Sequence, residues 1–259
     1  MTPPPRPLSG GGRRSSQEPV GAPRVIVVPD QAALADQGAA RIEQVALDTP
    51  PERSAAIALA GGGTPRAAYQ QLAARCPPWR RIEFFFGDER CVPPDAEGSN
   101  YGMARGALLN RIPVAPAQVH RILGELPPEE AARRAEEDLR ASVPGDPWPV
   151  LDLIILGMGP DGHTASLFPG AAELEETTRL MVPVHRPQMP QPWRVSMTLP
   201  VINAARRVLV LVGGTQKAPM VRRALDGDPA VPAGRVRPAG ELTWLVSADA
   251  AAELEDPPG

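Results

Sequence analysis

The sequence predicts an α/β fold, namely a single domain with a mostly parallel open sheet and helices on both of its faces. Short apolar segments alternate along the chain with segments of helical periodicity, which is typical of parallel strands joined by helices. The segment from Val150 to Leu156 is almost uninterrupted in apolar residues, as expected of a central strand covered on both faces. A chain of 259 residues without an internal repeat fits one such unit.

The same periodicity assigns each element in turn. The predicted strands span residues 24–28, 55–60, 81–86, 150–156, 195–199, 208–212 and 241–246. The predicted helices span residues 31–47, 65–75, 100–109, 128–142 and 216–225, with a long loop after the third strand and a short terminal helix from Asp249. Ligands of open parallel sheets bind beyond the carboxyl ends of the strands, so the residues directly after each strand are the first candidates for a site.

Composition narrows the class of protein. A net charge of −3 gives no reason to expect a nucleic-acid or membrane partner, and no apolar run reaches the ~18 residues of a membrane span. Residues 1–23 are rich in Pro, Gly, Ser and Arg, which predicts a disordered tail before a domain of residues 24–259, and not a secretory signal. Cys76 and Cys91 lack the spacing of a disulfide framework or a zinc site, which indicates reduced thiols and a cytoplasmic protein.

Lysine is almost absent from the chain, because Lys217 is the only lysine among 27 basic residues. Because arginine occupies all other basic positions, the one lysine indicates a place that needs a compact ammonium. The alternative is that this lysine remains by chance. Lys217 follows Gly213 and Gly214 and falls in the first turn of a predicted helix, where a cation is unfavourable against the helix dipole. A bound anion would remove that conflict, so Lys217 is a candidate phosphate ligand.

The segment Gly61-Gly-Gly-Thr-Pro65 follows the second predicted strand. Its glycines let backbone N–H groups approach a ligand closely, Thr64 is a suitable helix N-cap, and Pro65 suits a first helical turn. A helix start reached through glycines is a common phosphate site, which makes Gly62, Gly63 and Thr64 candidates. A tight turn without a ligand is the alternative.

Charged residues follow the third strand in the segment Gly87-Asp-Glu-Arg90. Asp88 and Arg90 are candidate substrate contacts at the mouth of an apolar crevice, and a surface salt-bridge cluster is the alternative. Ser99-Asn100 is expected to be an ordinary N-cap. Arg194 adds another cation beside a later predicted strand.

The segment Gly157-Met-Gly-Pro-Asp-Gly162 follows the central strand and precedes His163. It matches the G-x-G-x-x-G pattern of dinucleotide sites, but Asp161 places a negative charge where a pyrophosphate needs bare N–H groups, and no acidic residue follows about 20 residues later. An imidazole is well matched to general base work at neutral pH, with Asp161 as its orienting group. The alternative is a histidine that caps the next helix.

These motifs together resemble the family of 6-phosphogluconolactonases and glucosamine-6-phosphate isomerases. The matching segments are residues 61–65, 87–93 with Ser99 and Asn100, 156–169, 194–200 and 213–217, in the family's order, within roughly residues 24–253. The resemblance implies a Rossmann-like fold similar to that of glucosamine-6-phosphate deaminase and ribose-5-phosphate isomerase.

The resemblance also implies hydrolysis of 6-phospho-D-glucono-1,5-lactone to 6-phospho-D-gluconate in the oxidative pentose phosphate pathway. His163 would be the general base and Asp161 would orient it. Arg194 and Lys217, with the turn Gly62–Thr64, would hold the 6-phosphate, and Asp88 and Arg90 would line the site. No metal or organic cofactor is required, the lactone is the expected partner, and the protein is expected to be a monomer or weak homo-oligomer.

Two alternatives stay open at this point. The first is an amino-sugar-phosphate deaminase or isomerase of the same fold, but that family carries a glutamate before the closing proline, where this chain has Phe168. The second is a non-catalytic sugar-phosphate-binding protein, which would have no need of His163. Such sensors usually carry a DNA-binding segment, for which the tail is too short and too sparsely basic.

Overall fold

The computed structural model describes residues 22–75 and 77–254, and within them the chain forms two sheets and six α-helices. The strands are β1 (Arg24–Val28), β2 (Ala55–Leu59), β3 (Ile82–Phe86), β4 (Asp88–Arg90), β5 (Leu153–Gly157), β6 (Met181–His185), β7 (Trp193–Met197), β8 (Arg207–Val212) and β9 (Glu241–Ser247). The helices are α1 (Gln31–Asp48), α2 (Gly63–Leu72), α3 (Asn100–Ala107), α4 (Pro128–Ser142), α5 (Leu199–Ala204) and α6 (Ala218–Leu225). Cys76 and all of the predicted disordered tail except residues 22 and 23 lie outside the described residues.

The main sheet has six strands in the order β1-β9-β8-β5-β2-β3, and every pairing in it is parallel. The prediction of a mostly parallel open sheet with helices is therefore confirmed. Strands β5 and β8 are buried along nearly their whole length, as their apolar sequences predict. The largest fully buried side chains include Trp244 on β9, Tyr69 on α2 and Phe84 on β3.

A second, antiparallel sheet of three strands has the order β4-β7-β6, and the sequence did not predict it. The long loop expected after the third strand was wrong at its start, because Asp88–Arg90 forms β4. Three consecutive charged residues do not look like a strand, and Pro183 interrupts the apolar pattern of β6. The strand predicted at residues 195–199 is β7, which starts at Trp193 and belongs to this second sheet.

Several helix boundaries also differ from the prediction. Helix α2 begins two residues before Pro65, and α6 begins at Ala218 because residues 215–217 form a 3-10 turn. The terminal helix expected from Asp249 is wrong, since the chain there forms only turns. Helix α5 was missed because it is short and begins with Leu199-Pro200 directly after β7.

Helix α1 shows why the helices form where they do. Asp30 is its N-cap, and its carboxylate accepts the N–H of Ala33 at 2.8 Å. Leu34, Ile42 and Val45 lie on its buried face, and α1 packs on α2 and β9. Within the described residues, no helix is both long and apolar enough to cross a membrane.

The strand order places a topological switch point between β2 and β5. The chain continues from β2 to β3 on one side, and from β5 to β8 and β9 on the other. The segments that leave the carboxyl ends of β2 and β5 therefore diverge and open a crevice between them, which is where open α/β sheets bind ligands. A ligand site is expected at this crevice.

Candidate active site

A cleft lies at this switch point and brings together most of the residues predicted for a site. Its wall is formed by the segments after β2 and β5, by β4 and β7, and by the turn after β8. Of the predicted site residues, the cleft is lined by Gly62, Gly63, Thr64, Asp88, Arg90, His163, Arg194 and Lys217. Asp161 does not line the cleft but contacts His163 from behind.

His163 is held in a closed turn that follows β5. Gly159 N–H donates to the His163 carbonyl at 2.9 Å, Gly162 N–H donates to the Gly159 carbonyl at 3.0 Å, and Thr164 Oγ1 donates to the Gly157 carbonyl at 2.8 Å. A side chain on Gly159 would overlap the imidazole, and Gly162 has a φ of 84°. The glycines that suggested a dinucleotide site therefore serve to fold the turn around the histidine.

The imidazole is polarised by Asp161. His163 Nδ1 lies 2.6 Å from Asp161 Oδ1, and the same oxygen accepts the His163 backbone N–H at 3.2 Å. An ionised carboxylate only accepts hydrogen bonds, so this contact favours the tautomer with the proton on Nδ1. The lone pair is then on Nε2, which is the arrangement that a general base needs. The helix-capping alternative for His163 is not what the structure has, because a turn follows it.

The segment that follows His163 is strained and tightly clamped. Ala165 lines the cleft with a φ of 48°, a region that residues other than glycine rarely adopt. Ser166 N–H donates to Ser196 Oγ on β7 at 3.1 Å, and Leu167 N–H donates to the Thr164 carbonyl at 2.9 Å. Strain of this kind persists where the surroundings over-determine the backbone, and it is common at functional sites.

The turn after β2 presents a helix N-terminus to the cleft. Gly62, with a φ of 100°, is the N-cap of α2, so the prediction that Thr64 caps this helix is wrong. The positive φ of Gly62 lets the helix start at Gly63, which leaves Thr64 inside the first turn. Backbone N–H groups of a first helical turn have no partner within the helix and suit an anion.

Tyr69 fixes the chain immediately before this turn. Its hydroxyl accepts the Ala60 N–H at 2.8 Å and donates to the Ala60 carbonyl at 3.0 Å. The side chain is fully buried, and burial raises the pKa of its phenol far above the ordinary value. The neutral Tyr69 side chain of α2, with two hydrogen bonds to Ala60, therefore fixes the start of the Gly61–Thr64 turn.

Two arginines face each other across the second sheet. Arg90 on β4 is directly opposite Arg194 on β7, and both line the cleft. Like charges in opposed positions of an antiparallel pair are destabilising. Arg90 donates from Nη1 to the Gly98 carbonyl at 2.6 Å, and the Nε atoms of both arginines are buried without a partner among the described residues.

Burial lowers the pKa of two of the cations that line the cleft. Burial lowers the pKa of Arg194, the neighbouring guanidinium groups of Arg90 and Arg186 lower it further, and the Asp88 carboxylate partly opposes this shift. Burial likewise lowers the pKa of Lys217. Neither Arg90, Arg194 nor Lys217 forms an ion pair within 4.0 Å among the residues that the structure describes. Cations that are partly desolvated and line one cleft without an ion partner form a site for an anion.

The alternative of a surface salt-bridge cluster for residues 88–90 is wrong. Asp88 is only 5% exposed and Glu89 only 2%. Glu89 faces away from the cleft and accepts hydrogen bonds from the N-terminal residues of α3, while Asp88 faces into the cleft. The two side chains alternate because they belong to a strand, which is the reason that the sequence did not distinguish them.

Sequence reasoning also missed residues behind the cleft wall. Ser166 Oγ donates to Asp88 Oδ2 at 2.6 Å, and Asn100 Nδ2 donates to Asp88 Oδ1 at 3.0 Å. Ser99 is the N-cap of α3, as predicted, but Asn100 beside it does more than begin a helix. Cys91 is a free thiol whose pKa burial raises to about 11, so it is poorly suited to act as a nucleophile.

Comparison with known proteins agrees with this geometry. Residues 29–244 match the family model described as glucosamine-6-phosphate isomerases/6-phosphogluconolactonase. The chain belongs to this family. A 6-phosphogluconolactonase of Nostoc sp. is 39% identical over 239 residues, which cover 89% of this chain and 98% of that protein. The 6-phosphogluconolactonase of Homo sapiens is 42% identical over 207 residues, covering 77% of this chain and 80% of that protein.

A solved structure, that of 6-phosphogluconolactonase from Trypanosoma cruzi, superposes with a TM-score of 0.81 at 30% identity. It covers 90% of this chain and 97% of that one. The agreement extends over most of both chains, so the two proteins share the same α/β fold.

Proposed function

We propose that this chain hydrolyses 6-phospho-D-glucono-1,5-lactone to 6-phospho-D-gluconate in the oxidative pentose phosphate pathway, with His163 as the general base. The observation that carries the proposal is the cleft itself, which combines an Asp161-oriented imidazole with three unpaired cations and a helix N-terminus. The 6-phosphogluconolactonase relatives at about 40% identity support the same reaction.

The phosphate end of the substrate is assigned to the cations. Arg194, Lys217 and the backbone of the turn Gly62–Thr64 all line the cleft and would bind the 6-phosphate. Binding a group that does not react places the distant C1 carbonyl beside His163, so phosphate affinity contributes to the orientation of the reacting atoms. Arg90 adds positive charge opposite Arg194.

The chemistry begins with a water molecule between His163 and C1. His163 Nε2 takes a proton from this water as its oxygen bonds to C1, and the negative charge moves to the carbonyl oxygen. When the carbonyl re-forms, the bond from C1 to the ring oxygen breaks, and the imidazolium returns its proton to the ring oxygen. Asp161 keeps the ring oriented and stabilises the imidazolium between the two transfers.

Phe168 separates this proposal from the deaminase and isomerase alternative. Its ring lies 4.5 Å from that of His163, measured between centroids. A glutamate at this position could share in proton transfers at a second carbon, and a phenyl ring cannot. Among the described residues, His163 has one carboxylate partner, Asp161, and the proposed hydrolysis needs no second one.

The decisive experiment measures opening of freshly generated 6-phosphoglucono-1,5-lactone against its spontaneous rate. Acceleration by the wild-type protein, without ammonia release from glucosamine 6-phosphate, is the expected result. Ammonia release would replace the proposal by deamination. Binding of the lactone without acceleration would instead identify a sugar-phosphate-binding protein.

The setting of the reaction is part of the same proposal. We expect a cytoplasmic protein that acts as a monomer or weak homo-oligomer. Light scattering after size-exclusion chromatography tests the oligomeric state. Cell fractionation tests the compartment.

A further inference from the structure

The carboxylate of Asp88 lines the cleft, where its charge partly opposes the lowered pKa of Arg194, and no hydrogen bond from the described residues fills its remaining acceptor positions. Oδ2 accepts the Ser166 hydroxyl at 2.6 Å and Oδ1 accepts the Asn100 amide at 3.0 Å. An ionised carboxylate has about four acceptor positions, so about half of them stay available to a ligand. No ion pair within 4.0 Å is formed by Asp88 in the part of the chain that the structure describes.

The neighbouring carboxylate of Glu89 provides the contrast. It accepts the N–H groups of Arg90 at 2.7 Å, Asn100 at 2.7 Å and Tyr101 at 2.8 Å, and the hydroxyl of Ser99 at 3.0 Å. Four donors fill its acceptor positions, so Glu89 joins β4 to α3 and has no capacity left for a ligand. Of two adjacent buried carboxylates, only Asp88 faces the cleft, and only Asp88 is incompletely bonded.

The amide of Asn100 is oriented so that its nitrogen bonds to Asp88 while its oxygen stays without a hydrogen bond among the described residues. Its Nδ2 donates both to Asp88 Oδ1 and to the Asp88 carbonyl, the latter at 2.8 Å. Its Oδ1 is buried without a partner and lies against Gly61, where a side chain would overlap it. Turning the amide round would set its oxygen against two acceptors, so the unsatisfied oxygen is a consequence of fixing Asp88.

The chemistry of the proposed substrate identifies what Asp88 can bind. The 6-phosphate and the C1 carbonyl offer only acceptors at neutral pH, and the phosphate would also be repelled by a carboxylate. The hydroxyl groups on C2, C3 and C4 are the donors of the lactone. A buried carboxylate with open acceptor positions is therefore complementary to a ring hydroxyl.

We infer that Asp88 is a specificity-determining residue that accepts a hydrogen bond from one ring hydroxyl of the sugar. Ser166 and Asn100 are its positioning residues, and they act from two sides of the cleft wall. This inference rests on the proposed lactonase function. It makes the chain selective for polyhydroxylated lactone phosphates over analogues that lack the recognised hydroxyl.

The test combines substrate and protein changes. Wild type and Ser166→Ala are assayed for kcat/KM on 6-phosphoglucono-1,5-lactone and on its 2-, 3- and 4-deoxy analogues. In wild type, one analogue is expected to react about 10- to 100-fold more slowly than the parent, the effect of losing a hydrogen bond to a charged group. Ser166→Ala is expected to be about 10-fold slower on the parent lactone, yet close to wild type on that one analogue.

Ser99→Ala is the matched control. Ser99 is also a buried serine that donates to a buried carboxylate, but its partner is Glu89 on the other face of β4. This variant is expected to lower the thermal midpoint through the lost cap while keeping the wild-type ratio between parent and analogue. Asn100→Ala provides a second variant for Asp88 and is expected to reduce discrimination as Ser166→Ala does.

The outcomes distinguish a failure of the proposed role of Asp88 from a failure of the proposed lactonase function. Equal wild-type rates on all four lactones, or an equal loss on all four in Ser166→Ala, would overturn the role of Asp88 and leave the lactonase function intact. A wild-type protein that does not accelerate opening of the parent lactone would overturn the proposed function itself.

Discussion

Two clusters of positive charge, one around Asp152 at the amino edge of the main sheet and one in the cleft, differ in how they are paired. At the amino edge, before β2, β5 and β8, Asp152 binds Arg53 through both of its oxygens, at 2.5 and 2.6 Å, and contacts Arg206 at 3.3 Å. At the carboxyl edge, Arg194 and Lys217 have no carboxylate partner within 4.0 Å among the described residues. The charges around Asp152 are paired within the protein, whereas Arg194 and Lys217 would be paired by a bound anion.

This contrast distinguishes charges that stabilise the fold from charges that are available to bind a ligand. Asp152 is 3% exposed and also accepts the Ala56 N–H at 3.0 Å, so its pairing with arginines closes the lower edge of the sheet. The opposed arginines Arg90 and Arg194 cost stability in the free protein. Such a cost is tolerated where the same charges are needed for a ligand.

The same contrast holds for two carboxylate-bound histidines. His163 contacts Asp161 and the ring of Phe168 at the cleft, whereas His120 contacts Asp138 at 3.0 Å and stacks on Phe85 near the amino edge. His163→Ala is expected to lower kcat about 10²- to 10⁴-fold, because it removes the proton acceptor. Steady-state assays of lactone opening, corrected for the spontaneous rate, measure this loss.

His120→Ala is the matched control for that variant. His120 bridges Asp138 and Glu83, with 3.4 Å to the latter, and it lines a different cleft together with Arg53 and Asp152. Its loss is expected to lower the thermal midpoint and to leave kcat at the wild-type value. A full rate in His163→Ala, or an equal loss in both variants, would refute the assignment of the general base.

Lys217→Ala tests the unpaired cations, with an expected effect about one order of magnitude smaller. Removing a cation from a phosphate site is expected to raise KM about 10- to 100-fold while changing kcat much less. Arg206→Ala removes a cation from the amino edge and is expected to leave KM unchanged. If both variants raise KM alike, the two edges do not differ in function, and Lys217 leaves the phosphate site.

Asp152→Asn tests the paired charges of Asp152, Arg53 and Arg206 at the amino edge. The change keeps the shape of the side chain but removes the charge that two arginines share, and it is expected to lower the free energy of unfolding by about 1–3 kcal/mol. Denaturant titration measures the loss, and kcat and KM are expected to stay at wild-type values. A change in KM without a loss of stability would assign the amino edge a part in substrate binding.

The strands and helices of the main sheet could be predicted from the sequence, because apolar runs and helical periodicity lie within each element's own residues. Helix α4 spans residues 128–142 as predicted, and β1 spans residues 24–28. The second sheet was not readable, because β4 is three charged residues whose strand character depends on β7, about a hundred residues away. A strand that is fixed by its partner has no signal in its own sequence.

The site residues likewise fall into those that the sequence predicted and those that only the structure reveals. Glycine-rich turns, the single lysine and the turn around His163 are sequence-local, and the structure brings them to one cleft. The sequence predicted only a helix start at Asn100 and assigned no role to Ser166, so neither residue pointed to Asp88. The bond from Ser166 to Asp88 joins residues 78 apart in the chain, and only the folded chain reveals it.

Lys217→Met gives the smallest and most specific prediction. The ammonium of Lys217 is partly buried without an ion partner among the described residues, and burial lowers its pKa below the ordinary value of 10.5. At neutral pH the wild type therefore carries a desolvated charge that methionine does not, so the variant is expected to unfold about 1–4 °C higher. The folded pKa is the lower one, so the penalty is complete below it and disappears as pH rises from that pKa to 10.5.

Thermal melts with inorganic phosphate complete the test. The anion is expected to raise the midpoint of the wild type, because it binds the folded state only, and to raise that of Lys217→Met much less. The two proteins should therefore exchange their order of stability as phosphate is added, an effect that a simple packing change would not produce. A Lys217→Met protein that is less stable than wild type without phosphate would show that the ammonium already has a stabilising partner in the free protein.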